Sequence, residues 1–134
     1  MKGQAAVEYM IIIGIAIAIL TPLFVIIDSY TYESKQDLRT KALEDGLDSI
    51  AESANMVYFQ GYPARISVTV YIPQGVILTN VTGDFIRVRL ESKNGYNDVI
   101  SVTDAPVNGT LPTSSGTYKV TVSATEDGWV NVSY

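Results

Sequence analysis

Apolar residues follow one another without interruption near the start of the chain. Positions 9–27 read YMIIIGIAIAILTPLFVII and contain no charged side chain. A helix rises about 1.5 Å per residue, so this stretch is about 28 Å long, close to the hydrocarbon thickness of a bilayer. Because every side of the helix is apolar, the pattern predicts a membrane-spanning helix.

Two other interpretations of this stretch fit less well. It is longer and more uniform than the core helix of a soluble domain. A cleaved secretory signal has an apolar region of about 7–15 residues followed by small residues at the cleavage site, whereas positions 21–24 continue the apolar run as TPLF. We therefore expect the segment to remain in the mature protein. Pro22 lies within it and predicts a simple bend, because proline cannot donate a hydrogen bond to the carbonyl of Ala18.

After position 27 the helical pattern continues with a single apolar face. Its members are separated by 4, 3, 4 and 3 positions: Leu43, Leu47, Ile50, Ala54 and Val57. This spacing places them on one side of a helix, while most charged residues fall elsewhere. The repeat is too short to indicate a coiled coil, so we expect this face to pack on a later part of the chain. The sequence predicts one long helix over 4–58. Its first half is apolar on every side, and its second half is amphipathic.

From position 60 onward apolar residues alternate with polar ones, as in strands with one buried face. Strands are predicted at 65–72, 76–81, 84–91, 98–103, 117–125 and 129–134. Turn signals containing glycine, proline or asparagine separate them, among them 82–84 and 107–109. The pattern predicts an α+β fold in which residues 59–134 form an antiparallel sandwich or curled sheet. Docking of the amphipathic half of the helix would complete the core.

Composition argues against enzymatic chemistry. The chain has no cysteine or histidine, which excludes disulfides, a thiol nucleophile, a histidine base and the usual zinc sites. Its carboxylates are scattered without metal-ligand spacing, so we expect no cofactor, no metal and no enzyme activity. The formal net charge of −5 argues against a nucleic-acid-binding protein.

Features on either side of the apolar run indicate its orientation. Lys2 precedes the run and favours a cytoplasmic N-terminus. Three Asn-x-Ser/Thr sequons follow it, at Asn80, Asn108 and Asn131. These asparagines are candidate N-glycosylation sites, which agrees with an extracellular C-terminal domain.

One carboxylate, Glu8, stands directly before the apolar run. An acidic group at the edge of a membrane helix is unfavourable unless it is paired, and such groups are functional candidates. The alternative is that Glu8 simply lies among the lipid headgroups.

The extreme N-terminus, MKGQAAVEYM, resembles that of archaeal type IV pilins with a class III signal peptide. The family pattern is a basic residue and glycine followed by Q-x-S-x-E-x-x-x-L. Four positions match it: Lys2, Gly3, Gln4 and Glu8. Ala6 stands where serine is usual and Ile12 where leucine is usual. The order of leader, apolar helix, amphipathic continuation and β domain extends the resemblance to the whole chain.

The resemblance implies a pathway. A prepilin peptidase would cut between Gly3 and Gln4, so that residues 1–3 are the leader. A cytoplasmic ATPase and a membrane platform would then move subunits from the membrane into a helical homopolymer on the cell surface, serving adhesion. Glu8 would neutralise an N-terminal amine, its own or a neighbour's. Gly14 and Ala18 would allow close helix packing, and Pro22 lies in the same assembly segment.

Two other functions share the predicted architecture. A single-pass, membrane-anchored extracellular module binding a ligand such as a sugar would not need Gln4 or Glu8, and the sequence displays no aromatic platform or charged cluster for it. An archaellin, the subunit of a motility filament, is generally longer and begins its mature chain differently. The pattern does not separate major from minor pilins, or adhesion from DNA uptake and cell contact.

Overall fold

A computed structural model describes residues 1–134, apart from the side chain of Lys2. One helix is followed by five strands: α1 (Lys2–Gln60), β1 (Arg65–Ile72), β2 (Val76–Ser92), β3 (Gly95–Gly109), β4 (Gly116–Ala124) and β5 (Val130–Ser133). The predicted α+β class and the long N-terminal helix are confirmed. The chain divides into two compact units, residues 1–36 and 37–134, and α1 contributes to both.

The five strands form one sheet in the order β1-β4-β5-β3-β2. Most neighbours are antiparallel, as expected. The exception is a short parallel pairing, in which Val107, Asn108 and Gly109 of β3 face Val130, Asn131 and Val132 of β5. β5 turns back antiparallel along β4 and fills the place between β4 and β3. The sheet is therefore mixed and single, and the amphipathic half of α1 covers one of its faces.

Two of the expected turns lie inside strands. The predicted strands 76–81 and 84–91 join into β2, which passes through 82–84 with a register shift between Gly83 and Phe85. Gly83 adopts a φ of 68°, which accommodates this irregularity without a side-chain clash. Residues 107–109 likewise belong to β3. The turn prediction was wrong here because a glycine within a strand marks a bulge as readily as a turn.

The irregular part of β3 is held by a side chain of the helix. Between the pairs Gly83–Val107 and Phe85–Val102, four residues of β3 (103–106) face one residue of β2. The backbone N–H groups of Asp104 and Ala105 donate to Oδ1 of Asn55, at 2.9 and 3.1 Å. One amide oxygen on α1 thus satisfies two donors that lack strand partners.

The predicted apolar face of α1 forms half of the core. All five of its members are fully buried: Leu43, Leu47, Ile50, Ala54 and Val57. They join one hydrophobic cluster with the inward-facing residues of the strands, including Val70, Val88, Val120 and Val122. Burying an aliphatic side chain of this size contributes about 1.5–3 kcal/mol. The stripe is therefore confirmed as the surface that joins helix and sheet.

Gly46 lies beside this stripe, where α1 approaches β1. A Cβ atom at position 46 would lie 2.6 Å from Cγ1 of Val70, closer than van der Waals contact permits. Val70 is itself buried and β-branched, so its side chain has little freedom to turn away. The absence of a side chain at Gly46 sets the distance between helix and sheet.

The other face of the sheet, here called the outer face, is largely polar. On β1 and β4, the hydroxyls of Ser67 and Thr121 lie 3.1 Å apart. On β2 and β3, Arg89 donates two hydrogen bonds to the carboxylate of Asp98, at 2.7 and 2.9 Å, and its guanidinium lies 4.0 Å from the ring centre of Tyr96. The hydrogen bonds from Arg89 hold the pKa of Asp98 below its usual range.

Gly46→Ala is expected to destabilise the 37–134 unit. Alanine raises helix propensity by about 1 kcal/mol, but overpacking a rigid core contact costs about 1–3 kcal/mol. We expect a net loss of about 1 kcal/mol and a Tm about 5 °C lower, measured by circular dichroism of the full chain in detergent. Gly14→Ala is the control, since a Cβ there meets no atom within 4 Å. An unchanged Tm for Gly46→Ala would contradict the close approach.

Asn55→Ala should lower the free energy of unfolding by about 2 kcal/mol, because two backbone donors lose their acceptor. Asn55→Asp keeps an acceptor oxygen and should retain most of the stability. Glu52→Ala, an exposed change one turn away on the same helix, serves as the control. Denaturant unfolding of the full chain measures all three. Equal losses for the alanine and aspartate variants would show that the amide oxygen does not hold β3.

Candidate assembly segment and outer-face groove

The first part of α1 carries its apolar side chains on the surface. An 18-residue window of the helix has a mean hydropathy of 3.0, and none of that window is buried. Ile12, Ile19 and Phe24 are 63, 62 and 69% exposed. The helix is long and apolar enough to cross a membrane. A surface of this kind needs apolar surroundings, which lipid or other helices can supply.

Glu8 lies near the start of this helix, one turn after Gln4. Residues four apart share a helix face, and side chains tilt toward the N-terminus, so the carboxylate of Glu8 leans toward the turn containing Gln4. Glu8 is exposed and has no ion-pair partner among the described side chains. An α-amine at Gln4 would lie about 6 Å away along the axis. The exposed carboxylate of Glu8 is therefore one helical turn from Gln4.

Gly14 and Ala18 are one helical turn apart on the surface of the same segment. A Cβ added to Gly14 would meet no atom within 4 Å. Both residues are exposed, so nothing within the chain uses this small surface. It is open to the close approach of another helix.

α1 continues without interruption through Pro22. Proline has no N–H for the carbonyl of Ala18. The hydroxyl of Thr21 donates to the neighbouring carbonyl of Ile17 at 2.8 Å. Pro22 therefore removes one backbone hydrogen bond but does not end the helix.

The three sequon asparagines share the outer face of the sheet. Asn108 on β3 lies directly opposite Asn131 on β5, and Thr82 on β2 faces Asn108 from the other side. Asn80 precedes Thr82 by two positions and therefore shares its face. Asn108 is exposed, and Asn80 and Asn131 are partly exposed. The sequence could not reveal this proximity because it depends on the parallel pairing of β3 with β5.

The structure also brings together residues that the sequence analysis left separate. Tyr62 follows α1, Trp129 precedes β5, and both line one groove with Arg65, Glu126 and Asn131. The sequence indicated no aromatic platform in the β domain, and the structure places two aromatic side chains at this groove. Their separation along the chain concealed it, although the two-residue spacing of Trp129 and Asn131 at the start of a strand was a usable signal.

Replacing Ile15 and Ile19 together with lysine should release the chain from membranes. Each lysine near the centre of a membrane helix makes insertion less favourable by about 3 kcal/mol. The control replaces Leu38 and Met56, exposed apolar residues of the same helix outside 9–27, with lysine. Alkaline extraction of membranes distinguishes the two variants. If the Ile15/Ile19 variant stays in the membrane pellet, the segment is not the membrane anchor.

Within the described residues, no group of three or more histidine, cysteine, aspartate or glutamate side chains is placed to hold a metal ion. The chain was compared with protein-family models, curated proteins and solved structures, and none of the three comparisons finds a match.

Proposed function

We propose that this chain is a structural subunit of an archaeal type IV pilus-like surface filament, which polymerises through its apolar N-terminal helix. The observation that carries the proposal is a helix segment exposed and apolar on every side, preceded directly by the single carboxylate Glu8. A membrane anchor would require only the apolar segment. A filament core requires both the segment and a means of setting the register between copies.

The energetics favour a role for Glu8 in that register. Moving an apolar helix from lipid into a bundle of identical helices gains little hydrophobic energy, so packing and polar pairing must favour assembly. A carboxylate buried without a cation is strongly unfavourable, whereas a carboxylate paired with an amine is tolerated. Cleavage between Gly3 and Gln4 supplies an amine on every subunit. Each Glu8 can pair with its own terminus or with that of a neighbour.

The proposed pathway is the one implied by the resemblance of the N-terminus to archaeal type IV pilins. The precursor is inserted in the cytoplasmic membrane with its N-terminus inside, and a prepilin peptidase removes residues 1–3. An assembly ATPase and a membrane platform then transfer subunits from lipid into the filament. The open surface at Gly14 and Ala18 supports close packing of neighbouring helices. Adhesion is the proposed role of the filament.

A second function, a single-pass membrane anchor carrying an extracellular binding domain, uses the same helix. The groove beside Tyr62 and Trp129 favours it. This function needs neither cleavage at Gln4 nor a carboxylate at Glu8, and those two features distinguish the alternatives.

Glu8→Ala should reduce filament yield at least tenfold while leaving membrane insertion intact. Breaking a buried ion pair costs about 3–5 kcal/mol. A tenfold change in an assembly equilibrium corresponds to only about 1.4 kcal/mol, so the expected loss is larger than tenfold. Glu33→Ala removes a carboxylate from the same helix beyond the apolar run and should assemble normally. Electron microscopy of sheared filaments and membrane fractionation give the two readouts.

Wild-type filament yield from Glu8→Ala would defeat the proposed role of that carboxylate. N-terminal sequencing of the mature subunit provides an independent check, since the chain is expected to begin at Gln4. A chain that begins at Met1 and occurs only in membranes would favour the anchored binding module.

A further inference from the structure

A groove of about 600 Å³ lies on the outer face of the sheet. Its floor is a row of residues paired across three strands, Arg65 on β1, Ser123 on β4 and Asn131 on β5. Tyr62, in the turn after α1, lines one side of the groove. The connection between β4 and β5 contributes Trp129 and Glu126. All of these residues belong to the 37–134 unit.

Backbone hydrogen bonds hold the walls in place. The N–H of Ala124, the last residue of β4, donates to the carbonyl of Ala64 at 2.9 Å, which ties the turn after α1 to the end of β4. Both the N–H and the hydroxyl of Thr125 donate to the carbonyl of Trp129, at 2.9 and 2.8 Å. The N–H of Trp129 donates in return to the hydroxyl of Thr125 at 3.3 Å. The groove is therefore formed before a ligand binds, which reduces the entropic cost of binding.

The lining combines aromatic surface with separated polar groups. Tyr62 is 60% exposed, and the partly exposed side chain of Trp129 also lines the groove. Arg65 can donate several hydrogen bonds, Glu126 can accept them, and the amide of Asn131 can do both. A purely apolar ligand would leave these polar groups unpaired, and a simple anion would meet the carboxylate of Glu126. A sugar ring, with C–H groups on its faces and hydroxyls on its edges, matches both kinds of surface.

We propose that this groove binds a saccharide, with its ring against Trp129 and Tyr62 and its hydroxyls bonded to Arg65, Glu126 and Asn131. The site does not depend on filament assembly, because none of its residues lies in the apolar segment. It gives the proposed adhesive function a ligand class, and it would serve the anchored module equally.

Two sources of the saccharide are compatible with the site. Asn131 is the acceptor of a sequon as well as part of the floor, so a glycan attached to it would begin inside the groove. Trp129 lies two residues before Asn131, and side chains two apart in an extended chain project to the same side. The alternative source is a glycan of another molecule or surface. In both cases the sugar ring lies against Trp129 and Tyr62 and its hydroxyls bond to Arg65 and Glu126, but Asn131 is the point of attachment in the first case and a hydrogen-bonding partner in the second.

Binding can be measured through Trp129, which is the single tryptophan of the chain. The full chain, produced without glycosylation and held in a detergent that has no sugar headgroup, is titrated with oligosaccharides ending in N-acetylglucosamine, galactose, mannose or glucuronic acid. At least one is expected to change the tryptophan fluorescence saturably. Tyr62→Ala should weaken that binding at least tenfold with the Tm unchanged. Tyr96→Ala, an aromatic change elsewhere on the outer face, should bind like the wild type.

The source is decided with glycosylated protein from an archaeal host. Ser133→Ala destroys the sequon but keeps the Asn131 side chain in the groove. If the chain's own glycan is the occupant, Trp129 is shielded from acrylamide quenching in the wild type and exposed in Ser133→Ala, which also gains binding of added oligosaccharide. If the saccharide is external, both chains bind it equally.

The proposal is overturned if no oligosaccharide binds the unglycosylated chain and Trp129 is quenched equally in the glycosylated wild type and Ser133→Ala. Binding that Tyr62→Ala leaves unchanged would also overturn it, because the ligand would then lie outside the groove.

Discussion

The packing of the C-terminal half of α1 on one face of the sheet is the interaction on which the rest of the structure depends. The sheet is single and the chain has no disulfide, so the inward-facing residues of all five strands rely on this helix to exclude water. Leu43, Leu47 and Ile50 are fully buried there. At about 1.5–3 kcal/mol each, these three side chains contribute an amount comparable with the whole stability of a typical domain. The groove and the sequons are positioned only when that contact is made.

One helix therefore meets two different demands. Its first part requires an apolar environment on every side, and its later part requires it on one side only. Polar groups adjust the second contact: Asn55 holds the irregular backbone of β3, and the carboxylate of Asp48 accepts a hydrogen bond from Ser101 at 2.7 Å. These two residues are seven positions apart, so they lie along one edge of the apolar stripe. These hydrogen bonds fix the position of the helix along the sheet. Hydrophobic contacts alone would fix that position poorly, because they are not directional.

The features that were predictable from the sequence are those set by local periodicity. The stripe from Leu43 to Val57 follows from helical spacing, and the alternating strands follow from a period of two. The parallel pairing of Val107 with Val130 was not predictable, because it depends on where the last strand inserts. Gly83 correctly indicated an irregular backbone, but the sequence did not show whether the chain forms a turn or a β-bulge there. The groove could not be predicted because Tyr62 and Trp129 are brought to it only by the pairing of β1 with β4 and of β4 with β5. Glu8, by contrast, is a candidate that the sequence alone indicates, since a charge beside an apolar run is visible without the structure.

The two faces of the sheet differ in their contacts: one packs on α1, and the other carries the candidate sites. One face is covered by α1, so the outer face is the open face of the sheet. The groove and all three sequon asparagines lie on that face, and Asn108 faces Asn131 across neighbouring strands. Adjacent strands are about 4.8 Å apart, less than the width of a sugar ring, so glycans on both asparagines would crowd each other. A glycan on Asn131 would also occupy the groove, whereas a glycan on Asn108 would stand at its margin. A glycan on Asn131 would therefore close the proposed saccharide groove with the chain's own sugar, whereas a glycan on Asn108 alone would leave it open to another.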